Sequence, residues 1–284
     1  MHIGISTFVW VSPFSTASFD ILHKAKDIGY DVIEIAVEDR DLIDWVALKK
    51  VSRELGLNVT VSGAFGMDRD ISSERSEIRA NGLSYIIDCL EIANDFESPV
   101  FGGPLYSAVG KTRLVSAEQK VQEREWCQEN LYQAIRRAER LGVTLALEPL
   151  NRFETDMVNT VDQAIAIVDE LDSPFLKILL DTFHSNIEEK NIPASIVKLG
   201  DRLVHIQANE NDRGTPGTGH LDWLGIRDAL RSIDYGGSLV IETFGAPSKE
   251  LARAASIWRP LANSADELAA EGFAFLKKTF VDDE

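Results

Sequence analysis

Residues 176–181 read LKILLD, residues 144–148 read TLALE and residues 238–243 read SLVIET. All three runs are almost continuously apolar, which is typical of parallel strands whose two faces are both covered by helices. Each run also carries a carboxylate at or next to its carboxyl end, namely Asp181, Glu148 and Glu242. The runs therefore predict buried parallel strands that present acidic groups at one end of a sheet.

Five further β-rich runs alternate with longer amphipathic segments along the chain. The eight predicted strands cover residues 3–8, 31–36, 58–64, 99–102, 143–148, 176–181, 203–208 and 238–243. Between them, Thr160 and Gln163 have the pattern of a helix capping box, and Gly142 follows a long helical segment where a left-handed cap is expected. Strict alternation predicts a parallel sheet, open or closed. Eight units in 284 residues favour an α/β fold of the (β/α)8 TIM-barrel type, with one domain over residues 1–284.

The composition narrows the classes of partner. The formal net charge is −17, so nucleic acids and anionic membranes would meet long-range repulsion. The amino terminus lacks the basic and apolar regions of a signal peptide, and no run approaches the roughly 18 apolar residues of a membrane helix. We therefore expect a cytoplasmic protein that acts on a small molecule and has no nucleic-acid or membrane partner. Cys89 and Cys127 are expected to be buried thiols.

Polar groups are predicted to converge at the carboxyl ends of the last four strands. Glu148, Asp181 and Glu242 end three of them, and the fourth carries His205 and Gln207, which lie two apart and so point to the same side. In a TIM barrel these strand ends supply the catalytic groups. Each acid alone could simply cap a following helix or turn. Three together would repel strongly unless a cation lay between them, and oxygen ligands suit Mn²⁺ or Mg²⁺ better than a structural zinc.

Four stretches of the sequence resemble one known family. They are LEPLNRFE at 147–154, LDTFHSNIEE at 180–189, VHIQANENDRGTPGTGHLDW at 204–223 and IETF at 241–244. They are similar to the ketose 3-epimerase branch of the xylose-isomerase-like TIM barrels, which includes D-tagatose, D-allulose and L-ribulose 3-epimerases. The resemblance extends over essentially the whole chain. It implies a metal-dependent isomerase of carbohydrate metabolism that epimerises C3 of a free ketose.

The resemblance also implies a metal site and an acid/base pair. The metal ligands would be Glu148, Asp181, Gln207 and Glu242, and the acid/base pair would be Glu148 with Glu242. The expected ion is Mn²⁺, with Mg²⁺ or Co²⁺ as alternatives. The family usually has a histidine where this chain has Gln207, but an amide oxygen can also bind these ions.

Substrate contacts follow from the resemblance and from the position of aromatic residues. The resemblance implies that Glu154, His184 and Arg213 contact sugar oxygens. Phe8 and Tyr106 follow early predicted strands and could form an apolar cover over the sugar, although core packing explains either of them equally well.

The expected reaction is removal of the C3 proton beside the ketose carbonyl, which gives an enediolate, and return of a proton to the opposite face. Two other enzymes could use the same site, namely an aldose–ketose isomerase acting on a substrate such as hydroxypyruvate and a lyase acting on 3-oxo-sugars or C-glycosides. A DNA-repair endonuclease of the same superfamily would need many histidines for several zinc ions, and this chain has five. A non-enzymatic sugar-binding protein would not need two opposed glutamates. Barrels of this kind often pair, so we expect a homo-oligomer, a dimer or a tetramer.

Overall fold

The computed structural model describes residues 1–245 and 247–282 of the chain. Its centre is a closed barrel in which eight parallel strands pair in sequence order and the first strand also pairs with the last. The strands are β1 His2–Ser6, β2 Val32–Val37, β3 Asn58–Gly63, β4 Val100–Gly103, β5 Thr144–Leu147, β6 Leu176–Asp181, β7 Leu203–Gln207 and β8 Ser238–Ile241. The predicted α/β barrel is confirmed, and each predicted strand is present within a few residues of its expected bounds.

Helices occupy the segments between the strands and two positions after the last strand. They are α1 Asp20–Ile28, α2 Trp45–Leu55, α3 Ser76–Asp95, α4 Ala117–Leu141, α5 Val161–Leu171, α6 Thr182–Glu188, α7 Ile192–Leu199, α8 Trp223–Ser232, α9 Lys249–Ala254 and α10 Ala265–Phe280. Thr160 and Gln163 form the predicted capping box at the start of α5. Gly142 caps α4 with a φ of 71°, a left-handed conformation that glycine adopts without strain.

The strand register brings the polar ends of β6 and β7 side by side. Asp181 pairs with Gln207, and an irregularity between Ile178 and Leu179 shifts the register just before them. The side chain of Glu34 on β2 also reaches Gln207 on β7, although β8 and β1 separate these strands in the sheet. This contact therefore crosses the inside of the barrel, and it places a polar layer beneath the carboxyl end.

Apolar side chains fill the space between the barrel and its helices. Tyr30, Phe14, Phe101 and Phe280 are among the largest fully buried side chains. Both cysteines are buried free thiols, as predicted. Across the described parts of the chain, the helices are all too short or too polar to span a bilayer.

Candidate active site at the carboxyl end of the barrel

A cavity of about 390 Å³ opens at the carboxyl ends of the strands. A volume of this size is typical of sites for small molecules. One part of its wall is polar and includes Glu148, His184, Arg213 and Glu242. The remaining wall is mainly apolar, and its members include the aromatic and aliphatic side chains of Phe8, Phe65, Met67, Phe244 and Leu251. The cavity thus combines charged groups from the late strands with an apolar cover.

Three buried carboxylates stand at one side of this cavity. Asp181 is the last residue of β6, and Glu148 and Glu242 directly follow β5 and β8. Burial raises the pKa of all three, to about 6 for Asp181 and about 8 for Glu242, and well above the usual range for Glu148. For Glu148 the nearby carboxylates of Glu242 and Asp181 raise the pKa further. Glu148 and Glu242 therefore tend to hold protons near neutral pH, and additional positive charge would favour their ionised forms.

Arg213 supplies one positive charge. Its Nη1 lies 3.6 Å from Oδ2 of Asp181 and 3.6 Å from Oε2 of Glu242. The guanidinium stacks on the rings of Phe183 and Phe244, at 4.2 and 4.9 Å from their centroids. Arg213 has a φ of 61°, which is a strained backbone conformation for a residue with a side chain. Strain of this kind at a buried charged residue is typical of functional sites.

His184 lies between the carboxylates and Arg213. Its Nδ1 accepts a hydrogen bond of 3.1 Å from the backbone N–H of Asn151. Burial, with the neighbouring charge of Arg213, holds the pKa of His184 well below its usual range, so the ring is neutral. Nε2 lies 3.1 Å from Nη2 of Arg213, a group that only donates, so both ring nitrogens face N–H donors. Nε2 lies 3.5 Å from Oε1 of Glu148 and 3.7 Å from Oδ2 of Asp181.

Gln207 presents an acceptor atom to the site. Its Nε2 donates to Oε1 of Glu34 at 3.1 Å and to Oε1 of Glu242 at 2.9 Å. Its Oε1 is buried and has no hydrogen-bond partner among the described residues. A buried acceptor without a partner is costly, and in native proteins it often indicates a missing water or ion.

These donors fit a divalent cation. Ligand atoms of Glu148, Asp181 and His184 lie within 4.8 Å of one another. Since Nε2 of His184 already faces the guanidinium of Arg213 at 3.1 Å, we take the two carboxylates as the ligands from this group and His184 as a polar neighbour beside them. The orphaned Oε1 of Gln207 then completes an oxygen-rich set with Glu242, and such a set suits Mn²⁺ or Mg²⁺.

The other predicted substrate contacts have different surroundings. Glu154 lines the cavity and accepts a hydrogen bond of 2.9 Å from Nδ2 of Asn151. Phe8 also lines the cavity and packs against Phe244. Tyr106 does not line it. Its ring is fully buried, and its hydroxyl donates to the carbonyl of Val158 and accepts from the N–H of Leu150. The expected contact between Tyr106 and the sugar is therefore replaced by support of the loop that follows β5.

Sequence reasoning missed three polar residues that organise the site. Asn209 donates to Asp181 and accepts from the backbone N–H of Glu242, which ties the ends of β6 and β8 together. Asn151 holds His184 and Glu154. Glu34 interrupts the apolar run VIEIAV of β2, and this interruption was the available signal. Asparagines in loops carry no comparable signal, because loops are generally polar.

Comparisons with known proteins place the chain in a family. A family model described as a xylose isomerase-like TIM barrel matches residues 22–279. A probable ketose 3-epimerase of Synechocystis sp. is 32% identical over 282 residues, which cover 99% of this chain and 97% of that protein. D-psicose 3-epimerase of Ruminiclostridium cellulolyticum is 30% identical, over 94% of this chain and 92% of that protein.

A solved structure agrees with these relatives. D-allulose 3-epimerase from Methylomonas sp., crystallised in complex with D-allulose, matches with a TM-score of 0.92 and 29% identity, over 99% of this chain and 97% of that one. These relatives are epimerases, which are enzymes of the isomerase class. The chain therefore belongs to the xylose isomerase-like TIM barrel family, in the group whose curated members are ketose 3-epimerases.

Proposed function

We propose that this protein is a metal-dependent epimerase that inverts C3 of a free ketose. One observation carries the proposal: two buried glutamates, Glu148 and Glu242, enter the same cavity from strand ends that are three strands apart. Their raised pKa values make both of them able to carry a proton near neutral pH. The ketose 3-epimerases to which the chain is similar support the choice of substrate class.

The metal would be held by Glu148, Asp181, Gln207 and Glu242. The unpartnered Oε1 of Gln207 and the mutual repulsion of the three carboxylates support this set. When bound, the cation would supply Lewis-acid stabilisation of the negative charge that develops on the sugar oxygens. We propose Mn²⁺ as the ion, because a set of three carboxylates and one amide oxygen favours a hard or borderline cation.

The two glutamates would divide the proton transfers. One removes the proton from C3 on its face of the sugar, which leaves an enediolate. The other returns a proton to C3 from the opposite face, and the configuration at C3 is inverted. Each glutamate finishes a turnover in the protonation state opposite to that in which it began, so the same site can work in both directions.

The remaining polar residues would bind and orient the sugar. His184 lines the cavity beside Glu148, so its ring can form a hydrogen bond with a sugar oxygen. Arg213 and Glu154, held 3.8 Å apart, offer a donor and an acceptor for hydroxyl groups. The apolar wall around Phe8 and Phe244 would exclude water from the reacting carbon.

Incubation with single ketoses in D₂O tests the proposal. With Mn²⁺ present, D-allulose, D-tagatose or L-ribulose should give the C3 epimer with deuterium at C3, as followed by NMR. Deuterium at C1 together with an aldose product would instead indicate an aldose–ketose isomerase. Reaction with a 3-oxo-sugar or C-glycoside, and with none of the free ketoses, would indicate the lyase.

A further inference from the structure

Glu34 lies inside the barrel below the cavity, where no role follows from the reaction itself. It occupies the middle of β2 and is 1% exposed. Its Oε2 lies 2.7 Å from Nε2 of His205 and 3.4 Å from Oγ1 of Thr60. Its Oε1 accepts the hydrogen bond from Gln207. Glu34 does not line the cavity, so it lies below the surface that a bound sugar would meet.

The contact with Glu34 determines which end of the Gln207 carboxamide faces which neighbour. The amide nitrogen has two N–H groups, and each one meets a carboxylate oxygen, from Glu34 and from Glu242. Carboxylate oxygens only accept hydrogen bonds. If the amide were rotated by half a turn, its oxygen would face both carboxylates and its nitrogen would take the position of Oε1. The two acceptors thus permit only one orientation.

This orientation matters because the two ends of a carboxamide behave differently toward a cation. The oxygen can bind a metal ion, whereas the NH₂ group has no lone pair to offer and would repel it. A glutamine ligand therefore requires a neighbouring group that fixes the orientation of its amide. Glu242 alone would not fix this orientation reliably, because in the proposed reaction it binds the ion and carries a proton. Glu34 does neither, and its 2.7 Å contact with His205 holds it in place.

We infer that Glu34 is a positioning residue that fixes the Gln207 carboxamide with its oxygen toward the metal site. The inference rests on the metal site of the proposed function and adds a residue outside it. It concerns the affinity for the ion, so it can be tested without turnover.

A double-mutant cycle on Mn²⁺ affinity tests the inference. The dissociation constant is measured by titration calorimetry on metal-free protein for the parent, Glu34→Gln, Gln207→Ala and the double variant. Outer partners of metal ligands typically contribute about 10–100-fold in affinity, so Glu34→Gln should weaken binding by that factor. In the Gln207→Ala background, the same substitution should change the affinity by less than about threefold, since no amide remains to be oriented.

Two further variants test whether the position of the Glu34 carboxylate matters, as distinct from its charge or from a general disturbance of the packing around it. Glu34→Asp keeps the negative charge but withdraws the acceptor by one methylene, so it should also weaken Mn²⁺ binding. Thr60→Val removes another partner of Glu34 at similar size and should leave the affinity within about threefold of the parent. Circular dichroism of the metal-free variants verifies the fold. If Glu34→Gln does not fold, Glu34→Asp replaces it in the cycle. Its effect on Mn²⁺ affinity is then compared between the parent and the Gln207→Ala variant.

The outcomes are distinct. Equal losses from Glu34→Gln with and without Gln207 would overturn the inference, because Glu34 would then act through its charge. Parent-like affinity in Glu34→Asp together with a loss in Glu34→Gln would overturn it for the same reason. Absence of Mn²⁺ binding by the parent would overturn the metal site and this role with it. C3 epimerisation by the parent, measured separately, shows whether the proposed function holds when the positioning role fails.

Discussion

The side-chain nitrogen of Gln207 donates a hydrogen bond of 2.9 Å to Oε1 of Glu242. This contact joins the neutral member of the proposed ligand set to a glutamate of the proposed acid/base pair. It also leaves the amide oxygen of Gln207 as the only end of the group that can bind a cation. The substitution of glutamine for the family's usual histidine is thus compatible with a metal site.

The choice between Gln207 and His184 as a metal ligand gives the first prediction. Gln207→Leu should weaken Mn²⁺ binding by at least about tenfold, since a direct ligand should contribute no less than an outer partner. His184→Gln should retain affinity within about threefold, because Nε2 of His184 faces Nη2 of Arg213 at 3.1 Å and is not among the proposed ligands. Calorimetry on metal-free protein measures both. The reverse pattern would make His184 the ligand.

Pulsed EPR of the Mn²⁺ protein gives an independent measure of the ligand type. The parent should show no directly coordinated nitrogen, since its four proposed ligands are all oxygens. Gln207→His should introduce a nitrogen coupling and retain Mn²⁺, because imidazole is a good ligand for this ion. A strong nitrogen coupling in the parent would contradict the all-oxygen set.

Removal of Asp181 should abolish metal binding without unfolding the barrel. Asp181→Ala removes a central charge of the site, and residues at the carboxyl face of a TIM barrel contribute to function more than to stability. Elemental analysis after dialysis against Mn²⁺ measures the loss, and circular dichroism measures the fold. Asp169→Ala is a matched control, since Asp169 is a surface carboxylate paired with Arg202. Full metal content in Asp181→Ala would exclude Asp181 as a ligand.

The two glutamates should be distinguishable by isotope exchange. Glu148→Gln and Glu242→Gln should each abolish net epimerisation. The remaining glutamate should still exchange the C3 proton of the epimer whose C3–H bond faces that glutamate. In D₂O the two variants should therefore label different epimers, slowly and without inversion. Metal content is measured beside the exchange, since both residues are proposed ligands. Labelling of the same epimer by both metal-replete variants would contradict the opposed arrangement.

The metal-free protein should become less stable as the pH rises. Burial raises the pKa of Glu242 to about 8 in the folded protein, whereas in the unfolded chain a glutamate titrates near about 4.3. Between these values the folded state binds the proton more tightly, so the free energy of unfolding falls with increasing pH. Glu148 contributes in the same direction, because its pKa is also raised.

Thermal unfolding of chelated protein between about pH 5 and pH 8.5 measures this effect. The decrease in Tm should be smaller in Glu242→Gln, because the glutamine does not titrate. Saturating Mn²⁺ should stabilise the parent most at high pH, where the carboxylates are ionised. A Tm that falls equally with pH in the parent and in Glu242→Gln would assign the effect to other groups.

Tyr106 should contribute to stability and not to sugar recognition. Tyr106→Phe removes the hydroxyl from the carbonyl of Val158 and the N–H of Leu150, which still pair with each other at 3.2 Å, so the loss is that of a net hydrogen bond, about 0.5–1.5 kcal/mol. The variant should therefore unfold at lower denaturant concentration while its relative activity on different ketoses is unchanged. Tyr132→Phe is the control, because Tyr132 is exposed. A changed ketose preference with parental stability would return Tyr106 to the substrate site.

The sequence by itself determined the barrel and the acids at its mouth. Apolar runs such as LKILLD predict strands because their pattern is local, and a carboxylate at the end of such a run is visible without any neighbour. Since parallel strands end at the same side of a barrel, the sequence alone predicts that Glu148, Asp181 and Glu242 meet. The residues implied by family resemblance, such as Glu154 and Arg213, lie at the same cavity.

Only the tertiary structure decided the roles that depend on distant partners. The orientation of Gln207 follows from Glu34, which lies 173 positions earlier in the chain, and the acceptor role of Nδ1 of His184 follows from the backbone N–H of Asn151. The hydroxyl of Tyr106 is directed to two backbone groups of the loop after β5, and its ring does not line the cavity. A sequence pattern states which groups are present, but the direction of a hydrogen bond is determined by what the fold places opposite each group.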